Sequence, residues 1–574
     1  LANPLGMALR KLNLYHPMRR AVRRMTDADQ RKREDEVRAD LAVTRAAIGS
    51  WAREGTERAK GDKTFAVLSF TDLPLHLKFQ SMIAKIMQLE GYTPLVFTFS
   101  GVMFAPDYFE LFGIERENVI YWNRFSREIA PDDAALAHVI DQLLPANPTT
   151  ADIMAVNFHG AEIGKHALSM TARKLIQGRL DLADPQVMHL FRANFKRAAQ
   201  SVIAMRHLLD THPAPIQKML VRDAGYVPNG AIYETALERG VDCIVYEQGQ
   251  RRGTWILKRY TPATKGQHYF SLADSTWEHV KQSEWKAADD AKLNQIFVGR
   301  YTANSTDDTR RLQTDKQVKS PEEVRAQLGL DPTKKTAVIF SHIAWDAAFF
   351  FGSCLFDDFE HWLFETVKYA AANCPDMNWI VKLHPFNVFK LQREGVSEES
   401  EMKLLRALMP LPDHVKIMRA NTDINTQSLF PLVDYVLTVN GTVGMEFPCY
   451  GVPALLGGTG RYNGRGFTIE PQTRDEYFAA MRTLHTIPKL DRETQNRARR
   501  YFYTLTARRQ TDLEDIAPME LKRMNEAQSD VSDNIHIKAR SLAEFEGAGS
   551  IKRLRMWLAH SDALDILEPV GDDE

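Results

Sequence analysis

From Thr64 onward the chain alternates short apolar runs with longer stretches whose apolar positions recur at helical spacing. "TFAVLSF" (64–70) is apolar almost throughout, as a strand buried on both faces must be. "HLKFQSMIAKIMQLEGY" (76–92) follows a helical period up to Gly91, and "TPLVFTF" (93–99) is the next strand. Strand, helix, strand with this spacing predicts a βαβ unit, and with it parallel pairing and a right-handed crossover. "VIYW" (119–122) and "IMAVNF" (153–158) read as further strands, and residues 185–212 as one long helix. "KMLVRDAGY", "NGAIYETALERG" and "VDCIVYEQG" then carry the strand–helix–strand rhythm to Gly249.

A second alternation begins at Lys335. Strand "TAVIFS", helix "DDFEHWLFETVKYAAANC" and strand "NWIVKLH" come first, followed by strand "VKIM", helix "DINTQSLFPLV", strand "YVLTV" and strand "ALLG". Between the two halves, residues 260–330 are polar and mixed, and "GRYTANSTDDTRRLQTDKQ" reads as a loop or hinge. After about residue 475 the pattern is almost wholly helical. The predicted divisions are a charged helical extension (1–62), a first lobe (63–300), a hinge (301–334), a second lobe (335–480) and a helical C-terminal extension (481–574). Two successive α/β units joined by a hinge predict two Rossmann-like parallel sheets facing across a cleft, with ligands at the carboxyl ends of the strands.

Composition narrows the function classes. The 574 residues carry 73 basic and 74 acidic side chains, so nothing global calls for nucleic-acid binding. The four cysteines, Cys243, Cys354, Cys374 and Cys449, form no CxxC or zinc-like spacing, which fits a reducing compartment. No apolar run approaches the ~18 residues that span a bilayer, and no signal-peptide layout is present. A cytoplasmic protein is expected. The chain opens at Leu1 rather than Met, so a start upstream is expected as well. "MALRKLNLYHPMRRAVRRM" (7–25) holds six Arg/Lys residues among apolar ones and no acid. That pattern suits a basic element on the anionic inner face of the cytoplasmic membrane, and equally a solvated helix packed on its own protein.

Three strand ends in the second half carry candidate chemistry. In "FSHIAWDAAFFFGS" a strand runs into Ser341 and His342. In "VKLHPFN", Lys382 and His384 bracket a strand end, and Pro385, lacking an N–H, turns the chain out of the strand. In "DYVLTVNGTVGMEFPCYGVPALLGG" an apolar run stops at Asn440-Gly441-Thr442 and a short helix carrying Glu446 follows. If the three strands are neighbours, cationic side chains and helix-start amides converge into a phosphate or diphosphate pocket. Taken singly, Thr442 is equally an N-cap and Glu446 a surface helix carboxylate. Adjacent acid pairs occur at 289–290, 307–308 and 357–358 among others, in polar or helical settings, so neither a metal nor a cofactor is expected.

"KLHP", followed about 55 residues later by "TVNGTVGMEFPCYGVPALLGG", resembles the C-terminal half of bacterial capsule and surface polysaccharide biosynthesis proteins. These are GT-B-type glycosyltransferases, and they include the Kdo transferases of capsule assembly. The resemblance covers residues 330–475, and the first half is similar only in architecture. It implies that His384 with Pro385 contacts the donor phosphate, that Thr442 and neighbouring amides hold the phosphates, and that Glu446 lies near the ribose. It implies a nucleotide-sugar donor, a glycan or glycolipid acceptor and no metal. Asn440-Gly441 stands where several relatives have Ser or Thr, and the first half lacks the acid motif of Kdo transferases. An inverting transfer also needs a base for the acceptor hydroxyl. The candidates at first-half strand ends are Asp223 first, then Glu247 and His159. "GQRRGTW" (249–255) either touches an anionic acceptor or packs at the hinge. A CDP-glycerol-type glycerophosphotransferase shares K-x-H-P, although such enzymes show Asp-Tyr-Ser-Ser where this chain has Val-Asn-Gly-Thr. A sugar-nucleotide 2-epimerase and a silent glycan-binding scaffold are the other readings.

Overall fold

The computed structural model describes residues 25–101, 104–130, 133–302, 312–313, 315–346, 348–386, 398–520 and 533–568, with Met18 and Val22. The basic stretch at 7–25 and the middle of the expected hinge fall largely outside the described residues.

Two parallel sheets form, and each owes its place to the apolar runs. In the first lobe, β1 (Thr64–Leu68) is buried along its whole length and pairs in parallel with β2 (Thr93–Thr98) and β4 (Ile216–Val221). β3 (Val119–Tyr121) and β5 (Asp242–Gln248) extend the sheet on either side. β6 (Thr254–Tyr260) and β12 (Thr511–Asp512) then add antiparallel strands, giving the order β12-β6-β5-β4-β1-β2-β3. In the second lobe, β7 (Thr336–Phe340), β8 (Asn378–Lys382), β9 (Val415–Met418), β10 (Tyr435–Thr438) and β11 (Ala454–Leu456) form a five-stranded parallel sheet. Its order is β11-β10-β7-β8-β9. Each sheet reverses strand order beside its first strand, between β1 and β4 and between β7 and β10, which is the doubly wound switch point. The chain is thus an α/β protein with two Rossmann-like lobes facing across a cleft, the GT-B architecture.

Four segments differ from the sequence expectation, and one, "DINTQSLFPLV", holds a single 3-10 turn, Thr426–Leu429, in place of the expected helix. "IMAVNF" is not a strand. Thr149 and Asp152 form a capping box that starts the helix Thr150–Met154, and the chain then turns through a Phe158–Ala161 bridge. "TWILKRY", in the expected first lobe but assigned no element from the sequence, is β6, buried on both faces. The C-terminal extension divides between the lobes. The helix Arg492–Tyr503 packs on the second lobe, but β12 pairs Thr511 with Trp255 of β6, and the chain beyond it covers the first lobe. That return is fixed by Asp565, whose Oδ1 lies 3.3 Å from both Lys258 Nζ and Arg509 Nε, all three fully buried.

The N-terminal charged helix Ala28–Ile48 belongs to the first lobe, its Asp40 paired with buried Lys78 at 2.8 Å. Among the described residues no helix is long and apolar enough to cross a membrane. All four cysteines are free.

Candidate functional site

Because β8, β7 and β10 are neighbours, their carboxyl ends and the loops that follow stand side by side. Ser341, just past β7, is the pin. Its hydroxyl oxygen accepts the His384 N–H at 2.8 Å, and the hydroxyl donates to Glu401 at 3.2 Å. The His384 ring is held in turn by the Phe386 N–H, which donates to Nδ1 at 3.2 Å. That bond makes Nε2 the protonated nitrogen of the neutral imidazole. Lys382, the last residue of β8, is 4% exposed, with Nζ 5.7 Å from the Phe340 ring centre. Its Nζ has neither a carboxylate nor a hydrogen-bond partner among the described residues. Burial, with Lys316 adding repulsion, pushes its pKa down to about 7.

His342 behaves differently from a cationic phosphate ligand. Its Nε2 accepts from the Val439 N–H at 3.0 Å, with Thr438 Oγ1 also at 3.0 Å. Burial, and then Arg461, hold its pKa near 3, so the ring is neutral at any working pH. It ties the end of β7 to the end of β10.

The turn after β10 offers two amides. The Gly441 N–H is taken by Thr438 Oγ1, and those of Gly444, Met445 and Glu446 by the carbonyls of Gly441 and Thr442. The N–H groups of Thr442 and Val443 have no partner among the described residues. Thr442 does not cap the helix Val443–Glu446; its hydroxyl accepts from Arg300 at 3.2 Å instead. Glu446 is 1% exposed rather than on a helix surface. Its Oε1 sits 2.9 Å from Arg300 Nη2, and the Tyr301 hydroxyl donates to Oε2. The carboxylate therefore locks the helix Ala287–Tyr301 onto the turn. Gly444 is required here: a Cβ would fall 2.0 Å from the Tyr462 hydroxyl, which donates to the Gly441 carbonyl at 2.7 Å.

The opposite wall comes from the neighbouring ends of β4 and β5. Asp223, two residues past β4, takes a left-handed backbone (φ 55°) and lies 3.6 Å from Arg173. Glu247, near the end of β5, accepts from Arg222 Nε and from the Asp223 N–H, each at 3.3 Å. Burial raises its pKa to about 7 against the opposing pull of Arg222. The Arg173 guanidinium stacks 4.3 Å above Tyr226, whose hydroxyl donates to Asp346 of the second lobe at 2.6 Å.

Both walls enclose one cavity of about 500 Å3. It gathers Ser341, His342, Lys382, His384, Pro385, Asn440, Gly441, Thr442 and Glu446 on one side, with Asp223 and Glu247 on the other. His159 does not line it. His159 sits exposed in the turn after the helix Thr150–Met154, because the segment before it is not a strand. The sequence reading missed the arginines Arg173, Arg222, Arg300 and Arg461, which also line the cavity. Arg222 precedes Asp223 and Arg300 opens "RYTAN", so their positions were visible, but only the fold brings them together. Among the described residues no group of three His, Cys, Asp or Glu side chains is placed to hold a metal.

No protein-family model and no curated protein matches the chain. Among solved structures it is similar to Thermosulfurimonas dismutans KpsC, a β-Kdo 2,4 transferase, at 13% identity and TM-score 0.31, over 50% of this chain and 79% of that one. It is also similar to Anabaena Alr3699/HepE in complex with UDP-glucose, at 12% identity and TM-score 0.26, over 77% and 97%. A third is Neisseria meningitidis UDP-GlcNAc 2-epimerase bound to UDP-GlcNAc, at 12% identity and TM-score 0.22, over 77% and 96%. At these scores the likenesses add nothing to what the strand order of the two sheets shows directly.

Proposed function

We propose that the protein is a glycosyltransferase that moves a sugar from a nucleotide-sugar donor to a glycan or glycolipid acceptor of a bacterial surface polysaccharide. One observation carries this reading: a buried, uncompensated Lys382, the oriented His384 and two unpartnered amides share one wall of a cavity whose other wall holds a carboxylate titrating near 7.

The donor's phosphate or diphosphate supplies the counter-charge that Lys382 lacks. As the sugar–oxygen bond breaks, negative charge grows on the leaving phosphate. Nζ of Lys382, Nε2–H of His384 and the amides of Thr442 and Val443 meet that charge without reorganising. Neutralisation then comes from the chain's own donors, with no metal needed in this scheme. Glu247 takes the proton of the acceptor hydroxyl. It is preferred over Asp223 because a base works best with a pKa near the working pH, whereas Asp223 is engaged by Arg173 and held by its strained backbone. Asp223 positions Glu247 through its N–H.

Hydrolysis of a panel of CMP-, UDP- and GDP-sugars tests the reading. Slow release of one nucleotide is expected, and His384→Ala should lower that rate by at least ~100-fold. Release of CMP from CDP-glycerol alone would transfer the assignment to a glycerophosphotransferase. Wild-type turnover in the variant would remove His384 from the mechanism.

A further inference from the structure

Beside the first cavity lies a second hollow of about 1270 Å3. Its walls are residues 263–282, the tip at 350–352, the loop 459–466 and the helix Arg492–Tyr503, with Lys165 from the first lobe. The two hollows share Arg461, and the segment 266–272 borders both. This volume exceeds the roughly 300–1,000 Å3 of a small-ligand pocket.

The lining is electrically lopsided. Lys165, Lys281, Arg461, Arg465, Arg497 and Arg500 line it with three acids, Asp274, Glu278 and Glu493, and Lys165 is paired with a fourth, Glu162, at 2.9 Å. The acids are pushed to the rim. Asp274, Glu278 and Glu493 are 78%, 58% and 84% exposed, while their partners Arg465, Lys281 and Arg497 are 10%, 42% and 36% exposed. Asp274 and Glu493 are therefore more solvated than Arg465 and Arg497, while Lys281 and Glu278 are both largely exposed. Arg500 is not neutralised by its contacts, since its guanidinium donates to the carbonyls of Val280, Lys281 and Ser283. The interior is therefore positive in a chain whose net charge is −1.

We propose that this hollow holds the body of an anionic acceptor glycan while the reacting end of the glycan passes Arg461 into the first cavity. The inference rests on the glycosyltransferase reading and adds the acceptor's chemistry to it. Side-chain amides of Gln267, Asn463 and Asn496 stand among the cations, a mixture suited to hydroxyls interspersed with acidic groups. A nucleic acid fits less well. Trp277 and Phe350, the aromatic residues of the lining, are 3% and 2% exposed and offer no face for base stacking.

The test is fluorescence anisotropy of the full chain with three labelled probes: a sialic-acid hexamer, a glycerol-phosphate hexamer and neutral maltohexaose. At least one anionic hexamer should bind ~10-fold or more tightly than maltohexaose, and added salt should weaken it. The tighter of the two identifies carboxylate or phosphate as the recognised group. Arg497→Glu combined with Lys281→Glu should weaken that hexamer by at least ~10-fold and leave binding of the released nucleotide within about twofold. Should the double variant lose its folded circular-dichroism spectrum, Lys165→Gln gives the same readout with an expected loss of about threefold. Equal affinity for charged and neutral hexamers, or unchanged affinity in the folded variants, overturns the proposal. Hexamer binding is read without donor. A wild type that binds the hexamer but hydrolyses no nucleotide sugar would sink the transferase reading and leave the anionic-glycan site standing.

Discussion

Glu247 and Lys382 stand on opposite walls of one cavity, and burial drives their protonation in opposite senses to the same place. The acid rises to about 7 and the base falls to about 7, because in each the charged form is the one that loses water. On the proposed mechanism the productive state of the free enzyme needs Glu247 ionised, which is favoured above 7, and Lys382 protonated, which is favoured below 7. The profile of kcat/KM should therefore be a bell with its maximum near 7. A bound diphosphate gives Lys382 an anionic partner and raises its pKa, so the alkaline limb should move upward in kcat. Glu247→Gln should lower kcat by ~100-fold or more with KM little changed, and should erase the acid limb. A variant that keeps both limbs would show that another group is the base. Both members were named from the sequence, Glu247 second to Asp223 as the base, but not their shift to a common pKa, which only burial in the fold produces. Lys382 and His384 were marked by the proline that ends their strand. By contrast, the neutral state of His342 comes from burial and from Arg461, and its tie to the Val439 amide, 97 residues away in the chain, appears only in the fold.

The turn after β10 works as an element because a glycine lets it close against a tyrosine. Tyr462 reaches back to the Gly441 carbonyl across the space where a side chain on Gly444 would lie. Gly444→Ala should force Tyr462 aside at a cost of about 1–3 kcal/mol and lower affinity for the released nucleotide by about tenfold, measured by calorimetry beside a thermal melt. Unchanged affinity would show that the Thr442 and Val443 amides do not hold phosphate. At this scale most of the fold could be read from apolar runs alone, since strands buried on both faces leave an unbroken hydrophobic signature. The failures have a physical pattern. β6 escaped notice because Lys258 and Arg259 sit near its end, and their partners come from elsewhere: Asp565 from the far C-terminal segment and Asp242 from the neighbouring strand β5. The stretch 153–158 looked like a strand by composition, but the capping box four residues upstream commits the chain to a helix.

The lobes are joined by more than the hinge and the returning C-terminal segment. The loop after β7, which begins at Ser341 beside the proposed donor wall, inserts its aromatic residues into the other lobe. Trp345 and Phe349 belong to the helical core around Phe191 and Phe195, and Phe350 packs in the core under β4 and β5. The Phe350 ring sits 4.9 Å from that of buried His166, and a Cβ on Gly225 would lie only 3.1 Å from it. Asp346, between these anchors, accepts from Tyr226 across the cleft. Residues 341–346 with Phe349 and Phe350 thus set both the proposed phosphate wall and its spacing to Glu247, so stability and catalysis should fail together when they are loosened. Phe350→Ala removes a ring that is 2% exposed and should cost about 3–5 kcal/mol, seen as a lower unfolding midpoint in calorimetry. The two lobes should then melt in separate steps where the wild type melts in one, and kcat/KM should fall even at temperatures where the variant is fully folded. A variant with a lowered midpoint but wild-type kcat/KM would mean that the insertion is mere packing and that the spacing of the two walls is held elsewhere.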